Sequence, residues 1–217
     1  MSHVFPNWSN AMPLKVALFL AVFGGTVAAG VTYYCTPKYL RVGYAPVQPV
    51  PYDHSLHAGQ LGIDCRYCHD NVDKSGWANL PTAQTCMNCH KLVKPDSPLL
   101  AVVRASFESG EPVPWVQVHK TPDYVYFNHA AHVNRGVGCV ECHGKVNEMP
   151  VVVHMQPLSM EFCLNCHRDP GRYLRAPAQV FDLGSPTLAA QGRADEAARL
   201  VRDWKVRPPQ SCSGCHR

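Results

Sequence analysis

One short pattern constrains this chain more than any other: C-x-x-C-H occurs five times in 217 residues. The five copies are Cys65, Cys68 and His69; Cys86, Cys89 and His90; Cys139, Cys142 and His143; Cys163, Cys166 and His167; and Cys212, Cys215 and His216. Two cysteines three positions apart lie on one face of a helical turn. Their thiols are placed to bond the two vinyl groups of one porphyrin, and the next residue, His, is placed to bind its iron. The pattern predicts five covalently bound haem c groups.

Other uses of cysteine fit the pattern less well. Structural zinc sites use C-x-x-C in pairs, with four ligands for each metal. A thioredoxin-like site needs one C-x-x-C beside a βαβ unit. The motifs use ten of the eleven cysteines and leave Cys35 outside the haem arithmetic. The net charge of +4 is too small and too evenly spread to indicate nucleic acid binding.

Seven histidines lie outside the motifs, and an internal repeat selects four of them as distal iron ligands. The sequence YDHSLH (residues 52–57) precedes the first two motifs, and FNHAAH (residues 127–132) precedes the next two. Two histidines at positions i and i+3 share a helix face but diverge enough to reach two different porphyrins. The repeat therefore predicts distal ligation by His54, His57, His129 and His132. His3 precedes the first apolar segment, on the wrong side of it for a ligand.

The fifth distal ligand is open between two histidines. His119 follows a proline-bounded, strand-like segment just before the second repeat and is the first choice. His154 lies in a short apolar run and is the alternative. A methionine ligand would raise the potential of its haem. For the candidates Met87, Met149, Met155 and Met160, however, core packing is the favoured interpretation.

An apolar segment near the N-terminus predicts a transmembrane helix over residues 16–34. Its nineteen residues carry no charge, and at about 1.5 Å per residue they nearly span a bilayer core of roughly 30 Å. A cleaved signal peptide is the competing interpretation, with a candidate cleavage site at Ala28-Ala29. The sequence retains the segment, which favours an uncleaved anchor. A proline-rich stretch, YAPVQPVP, then predicts an extended spacer.

The remaining segments predict a mainly α fold with extensive loops, in which the packed porphyrins form much of the apolar interior. A short helix is expected over residues 97–107. Another is expected from Ser185-Pro186, because Ser is a good cap and Pro favours the first turn. Its apolar stripe includes Ala197 and Trp204. The predicted divisions are a cytoplasmic N-terminus 1–15, the helix 16–34, a linker 35–51, a first dihaem module 52–96, a connecting segment 97–126, a second dihaem module 127–170, and a C-terminal helix with the fifth haem site 171–217.

The aromatic-x-His-x-x-His…CxxCH module resembles the class III multihaem cytochromes c. The whole pattern is similar to the pentahaem cytochrome subunits of alternative complex III. That complex is a bacterial quinol:electron acceptor oxidoreductase. This resemblance rests on the N-terminal helix and on the sequences GIDCRYCH (62–69), TCMNCH (85–90), VPWV (113–116), PDYVYFNH (122–129) and PLSM (157–160). It covers residues 12 to 170 well. It implies a wire of bis-His haems beside an iron–sulfur subunit, a monohaem cytochrome and membrane subunits with a quinol site.

Electron relay within such a complex is the leading hypothesis for function, with a periplasmic acceptor. Haem attachment outside the bacterial cytoplasm, which the resemblance implies, places the haem domain on the periplasmic side of the cytoplasmic membrane. No catalytic residue is expected, because bis-His ligation leaves the iron no open position. One alternative is a stand-alone, membrane-anchored multihaem quinol dehydrogenase. A multihaem reductase is less favoured, since six distal candidates face five irons.

Overall fold

A computed structural model describes residues 6–35 and 41–216 of the protein. The chain forms two compact units, Met1–Val42 and Gly43–Arg217. The boundary between them falls inside the predicted linker. His3, which the sequence excludes as a ligand, lies outside the described residues.

The first unit contains one long apolar helix, α1, over Met12–Cys35. A 3-10 turn, Asn7–Ala11, precedes it. The predicted helix 16–34 is confirmed, and it begins earlier than expected because Pro13 is well suited to a first helical turn. Trp8–Cys35 is long and apolar enough to cross a membrane, and none of the α1 side chains is buried. A membrane anchor and a signal sequence both satisfy this description.

The second unit is built from short helices joined by long loops, so the mainly helical prediction is confirmed. The described residues form no β-sheet; two isolated antiparallel bridges pair Val125 with His216 and Val137 with Leu174. The helices of this unit are α2 Cys65–Cys68, α3 Ala83–His90, α4 Ala101–Ser109, α5 His129–Val133, α6 Val140–His143, α7 Met160–Arg168, α8 Ala194–Asp203 and α9 Cys212–Cys215. Short π and 3-10 turns cover Ser55–Gln60, Pro98–Leu100, Val146–Glu148, Pro170–Arg172 and Pro177–Gln179.

The polypeptide core of this unit is small. Ten hydrophobic side chains are buried among the described residues. Four of them, Val50, Ala83, Met87 and Val103, form one cluster in which α3 packs against α4. Met87 thus packs in the core. Large apolar side chains that flank the motifs remain exposed, among them Trp77 at 80% and Leu92 at 87%. So small a core leaves the porphyrins to supply much of the apolar interior.

Residues 43–51 of the predicted linker belong to the second unit and are hydrogen-bonded to its other segments. The Gly43 amide donates to the His154 carbonyl, and the His154 amide donates to the Tyr44 carbonyl, both at 2.9 Å. The Gln48 side-chain amide bonds both the carbonyl oxygen and the amide of Val116, at 2.8 and 2.9 Å. These contacts hold this stretch against the segment that precedes the second repeat.

The two helices expected outside the motifs have different outcomes. The prediction over 97–107 is confirmed, since a 3-10 turn from Pro98 leads into α4. The predicted start at Ser185-Pro186 is wrong, because α8 begins only at Ala194. Tertiary contacts override the local signal there: the Ser185 carbonyl accepts from the Arg175 side chain at 2.9 Å, and Leu188 is fully buried. The apolar stripe of α8 faces the protein as expected, with Ala197 buried.

Candidate haem attachment sites

Each C-x-x-C-H motif forms one helical turn that carries both thiols. The amide of the histidine donates to the carbonyl of the first cysteine at 2.8 Å for His69, 2.9 Å for His143 and 2.8 Å for His216. None of the eleven cysteines forms a disulfide bond. The ten motif thiols therefore remain available for thioether bonds to a porphyrin, and the local geometry fits the group that the sequence predicts.

Main-chain carbonyls fix three of the motif histidines. His69 Nδ1 donates to the Asn79 carbonyl at 2.7 Å, and His90 Nδ1 donates to the Val93 carbonyl at 2.9 Å. His167 Nδ1 donates to the Pro209 carbonyl at 2.7 Å. Such a bond holds the imidazole in the tautomer whose Nε2 carries a lone pair. A neutral imidazole with a free Nε2 is the form that binds iron.

In the first repeat, the two predicted distal histidines approach two different motifs. The ring centre of His57 lies 6.2 Å from that of His90, and Nδ1 of His57 donates to the Asp53 carbonyl at 2.8 Å. His54 lies close enough to His69 for the two to interact electrostatically. Burial, with smaller contributions from His69 and His57, lowers the pKa of His54 to about 4. His54 is therefore neutral at physiological pH.

The second repeat has the same arrangement. The ring centre of His129 lies 6.3 Å from that of His143, and that of His132 lies 6.2 Å from that of His167. Nδ1 of His129 donates to the Gly76 carbonyl at 2.9 Å, and Nδ1 of His132 donates to the Asn128 carbonyl at 2.7 Å. Burial, then neighbouring histidines, lowers the pKa of His143 to about 3. Carbonyl bonds thus orient His129 and His132, and burial keeps His143 neutral at physiological pH.

The three ring separations match what one metal between two imidazoles requires. Each metal–nitrogen bond is about 2.0–2.1 Å, so an iron bound by two histidines separates their ring centres by roughly 6.3 Å. The spacing therefore fits bis-His ligation in three of the five sites.

The fifth site differs from the others. The ring of Tyr124 lies 5.6 Å from that of His216. The candidate distal ligands His119 and His154 lie elsewhere, in a group with His143: the ring of His119 is 4.3 Å from that of His143 and 5.2 Å from that of His154. The structure thus brings both candidates together beside the third motif.

His154 shares with most of the other predicted ligands a main-chain carbonyl bond at Nδ1. It is fully buried, and its Nδ1 donates to the Val118 carbonyl at 3.1 Å. Its Nε2 is buried and meets no hydrogen-bond partner among the described atoms. A buried polar atom left without a partner costs about 1–3 kcal/mol. A metal bond at Nε2 would remove that cost.

One residue at the third motif was missed by sequence reasoning. Arg175 is 3% exposed, and its guanidinium lies 2.7 Å from the carboxylate of Glu141, which stands between Cys139 and Cys142. Its Nε also donates to Ser185. The sequence around Arg175 contains no signal for this pairing, which joins the C-terminal segment to the haem-binding helix α6.

The thiols of successive motifs influence one another, which shows which motifs are neighbours. Burial, then the adjacent thiols of Cys163 and Cys166, raises the pKa of Cys142 to about 12. Burial, then Cys65, raises the pKa of Cys139 to about 11. Two further pairs are Cys68 with Cys86 and Cys163 with Cys215. These pairs indicate that the second motif neighbours the first, the first neighbours the third, the third neighbours the fourth, and the fourth neighbours the fifth.

Hydrogen bonds support this order independently of the thiols. The Asn88 side chain donates to the Tyr67 hydroxyl at 3.1 Å and joins the second motif to the first. The Ala130 amide donates to the Ser75 carbonyl at 3.0 Å and joins the second repeat to the loop after the first motif. The Gln210 side chain donates to the His167 carbonyl at 3.2 Å and joins the fourth motif to the fifth.

Two family models match different parts of the chain. Residues 125–217 match the family described as cytochrome c7 and related cytochrome c. Residues 36–121 match the class III cytochrome C family. The cytochrome c7 match contains the third, fourth and fifth motifs, and the class III match contains the first and second. The chain is thus similar to multihaem cytochromes c on both sides of the connecting segment.

Two curated proteins are also similar to the chain. One is the menaquinone reductase, multiheme cytochrome c subunit, of Nitratidesulfovibrio vulgaris, 32% identical over 131 residues, which are 60% of this chain and 56% of that protein. Another is the acrylate reductase cytochrome subunit of Shewanella woodyi, 28% identical over 111 residues, which are 51% of this chain and 68% of that protein. The chain spans little more than half the length of the first of these relatives.

Proposed function

We propose that this chain binds five haem c groups and works as the electron-transfer subunit of a membrane quinol:electron acceptor oxidoreductase of the alternative complex III type. The observation that carries this proposal is the three histidine pairs with ring centres 6.2–6.3 Å apart, set in motifs that follow one another in space. When bound, haem iron supplies one-electron chemistry without an open position for a substrate.

Each group of residues has one task in this function. The motif cysteines hold the porphyrins as thioethers, and the motif histidines bind iron from the proximal side. His54, His57, His129 and His132 bind from the distal side, each repeat serving two neighbouring irons. Main-chain carbonyls keep most of these imidazoles correctly turned. The distal side of the fifth iron stays unassigned, because His119 and His154, the two candidates from the sequence, both lie beside His143 of the third motif.

The chain orders its sites as a single file. The second motif stands at one end and the fifth at the other, with the first, third and fourth between them. Because each repeat contributes a histidine pair to two neighbouring sites, the short helices that carry these pairs fix the spacing between irons. A single file with two ends suits a relay between two partners better than a store of electrons.

The proposed location is the bacterial cytoplasmic membrane, with α1 as a single-pass anchor and the second unit, which carries the five motifs, on the periplasmic side. The length and composition of α1 support this placement. The proposed partners are an iron–sulfur subunit, a monohaem cytochrome c and integral membrane subunits with a quinol site. The names of both relatives describe them as subunits, which supports a role within a complex.

A second candidate differs in the direction of electron flow. The first relative is named a menaquinone reductase subunit, so this chain would then deliver electrons towards quinone rather than receive them from quinol. A stand-alone quinol dehydrogenase is a further alternative. Neither changes the tasks of the ligating residues.

Purification in mild detergent tests the proposal. Full-length chain with a C-terminal affinity tag is isolated from native membranes, and the co-purifying subunits are identified by mass spectrometry. We expect an iron–sulfur subunit and polytopic membrane subunits in fixed proportion to the chain. Recovery of the chain alone, with quinol oxidation intact, would contradict the proposal and favour the stand-alone dehydrogenase.

A further inference from the structure

An aromatic ring stands at the same place in both repeats and touches both distal histidines of its own repeat. The Tyr52 ring meets the edge of His54, with ring centres 4.7 Å apart and planes at 84°, and stacks on His57 at 4.4 Å and 22°. The Phe127 ring meets His129 at 4.8 Å and 88° and stacks on His132 at 4.7 Å and 24°. The four contacts form one arrangement that is used twice.

Such contacts decide how an imidazole is turned. Rotation of a histidine ring about its last side-chain bond is broad, so the neighbours of the ring determine its plane. A stacked ring and a perpendicular ring each hold a preferred geometry against rotation. One aromatic side chain in contact with two histidines therefore restricts two ring planes at once.

The planes differ measurably between sites. The rings of His57 and His90 cross at 62°, whereas those of His129 and His143 are nearly parallel at 10°, and those of His132 and His167 lie at 29°. In a ferric low-spin haem with two imidazole ligands, the crossing angle sets the splitting of the iron d orbitals. Parallel planes give a rhombic electron paramagnetic resonance signal, and crossed planes give a more anisotropic signal with a larger maximum g value.

The first repeat depends on its aromatic ring more than the second does. Both His129 and His132 have a carbonyl bond at Nδ1, as does His57. Nδ1 of His54 is buried and has no hydrogen-bond partner among the described atoms. The orientation of His54 therefore depends more on its edge contact with Tyr52 than the orientation of the other three histidines depends on their aromatic contacts.

We propose that Tyr52 and Phe127 are positioning residues that set the ring planes of the distal histidines, each for two neighbouring haems, with the first repeat the more dependent. This role rests on the bis-His ligation in the proposed function. It concerns the aromatic ring and not the tyrosine hydroxyl, because phenylalanine occupies the equivalent place in the second repeat.

The test is electron paramagnetic resonance of the oxidised full-length holoprotein, with haem content and carbon monoxide binding measured in parallel. Tyr52→Leu removes the ring, and Tyr52→Phe is the matched control that keeps it. Phe127→Leu makes the same change in the second repeat. If Tyr52→Leu does not load haem, Tyr52→Met replaces it, since methionine fills a similar space without a ring.

We expect Tyr52→Leu to broaden and shift two low-spin signals, including the one from the haem between His57 and His90, whose rings cross at the largest of the three measured angles. Tyr52→Phe should leave the spectrum unchanged, and Phe127→Leu should alter two other signals by a smaller amount. All variants should keep the haem content and the carbon monoxide binding of the unaltered protein.

Three results would overturn this role. A Tyr52→Leu spectrum that superimposes on that of the unaltered protein would show that the ring does not set the planes. Equal changes in Tyr52→Phe and Tyr52→Leu would assign the effect to the hydroxyl. A change spread over all five signals would indicate a general loosening. More than one high-spin haem in the unaltered protein would instead contradict the bis-His ligation of the two repeats, so the two failures are distinguishable.

Discussion

At the residue scale, iron binding needs imidazoles that are neutral and correctly turned, and two simple devices supply them. Carbonyl oxygens accept from Nδ1 of most of the predicted ligands, which leaves Nε2 for the metal. Burial lowers the pKa of His54 to about 4 and that of His143 to about 3. Protons therefore do not compete with iron for these sites at physiological pH.

The assignment of His132 as a distal ligand predicts the effect of His132→Met. Methionine ligation raises the potential of a haem, so one of the five haems should titrate at a distinctly higher potential. Potentiometric titration followed by visible absorbance measures this. Leu99→Met, which adds a methionine at an exposed position outside both repeats, is the control and should leave all five potentials in place. An unchanged titration of His132→Met would remove His132 from the ligand set.

The fifth distal ligand can be settled with two alanine variants. Loss of a distal ligand should convert one haem to a high-spin form that binds carbon monoxide. Both candidates lie beside His143, which His129 already approaches, so we expect His154→Ala and His119→Ala each to leave the spin states unchanged. Visible and resonance Raman spectra report the spin states. One newly high-spin haem in either variant would restore that histidine as the fifth distal ligand.

At the element scale, the two repeats share a turn before their first motif but differ in what surrounds it. Gly62 and Gly136 occupy equivalent positions three residues before Cys65 and Cys139, and both have positive φ, +66° and +83°. Around Gly62 the space is open, whereas a Cβ on Gly136 would come within 2.7 Å of the Arg175 carbonyl oxygen. The second turn is therefore the tighter one.

This contrast makes Gly62→Ala a matched control for Gly136→Ala. Both variants force alanine into the left-handed region, at about 1–2 kcal/mol. Gly136→Ala adds overpacking against main chain, so it should lower the free energy of unfolding by about 1–3 kcal/mol more. Denaturant unfolding of the two holoproteins measures the difference. Equal destabilisation would show that the Arg175 segment does not pack closely on this turn.

The elements also show where sequence reasoning succeeds and fails. The repeat predicts that each His-x-x-His pair divides between two motifs, because that follows from helical geometry alone, and the rings at 6.2–6.3 Å are consistent with it. The predicted start of α8 was wrong because the burial of Leu188 outweighs a good local capping signal at Ser185-Pro186. The Arg175–Glu141 pair and the position of His154 beside His143 depend on contacts between distant segments, which no local pattern encodes.

At the scale of the whole molecule, the second unit buries few of its apolar side chains within the polypeptide. Ten buried hydrophobic residues are a small core for the stretch from Gly43 onward, and side chains such as Leu61 and Met160 stand exposed beside the motifs. Porphyrin surface is the natural partner for these side chains. Stability and cofactor attachment are then coupled, since a group that binds only the folded chain stabilises it.

Expression of the full chain without haem attachment tests this coupling. We expect a protein with little helical signal in the second unit, no cooperative thermal transition and rapid proteolysis after the first helix. Circular dichroism and limited proteolysis provide the measurements, with the holoprotein as control. A cooperative transition in the apoprotein would show that the polypeptide core suffices alone.

The central claim is that quinol electrons pass through all five haems of this chain only when its partners are present. Anaerobic addition of a quinol analogue to the purified complex, followed at the haem absorption bands, tests this most directly. We predict that quinol reduces the haems of this chain within the complex and that the isolated holoprotein is reduced by dithionite but not by quinol. Equally fast reduction of the isolated chain by quinol, or haems in the complex that respond to dithionite alone, would contradict the account.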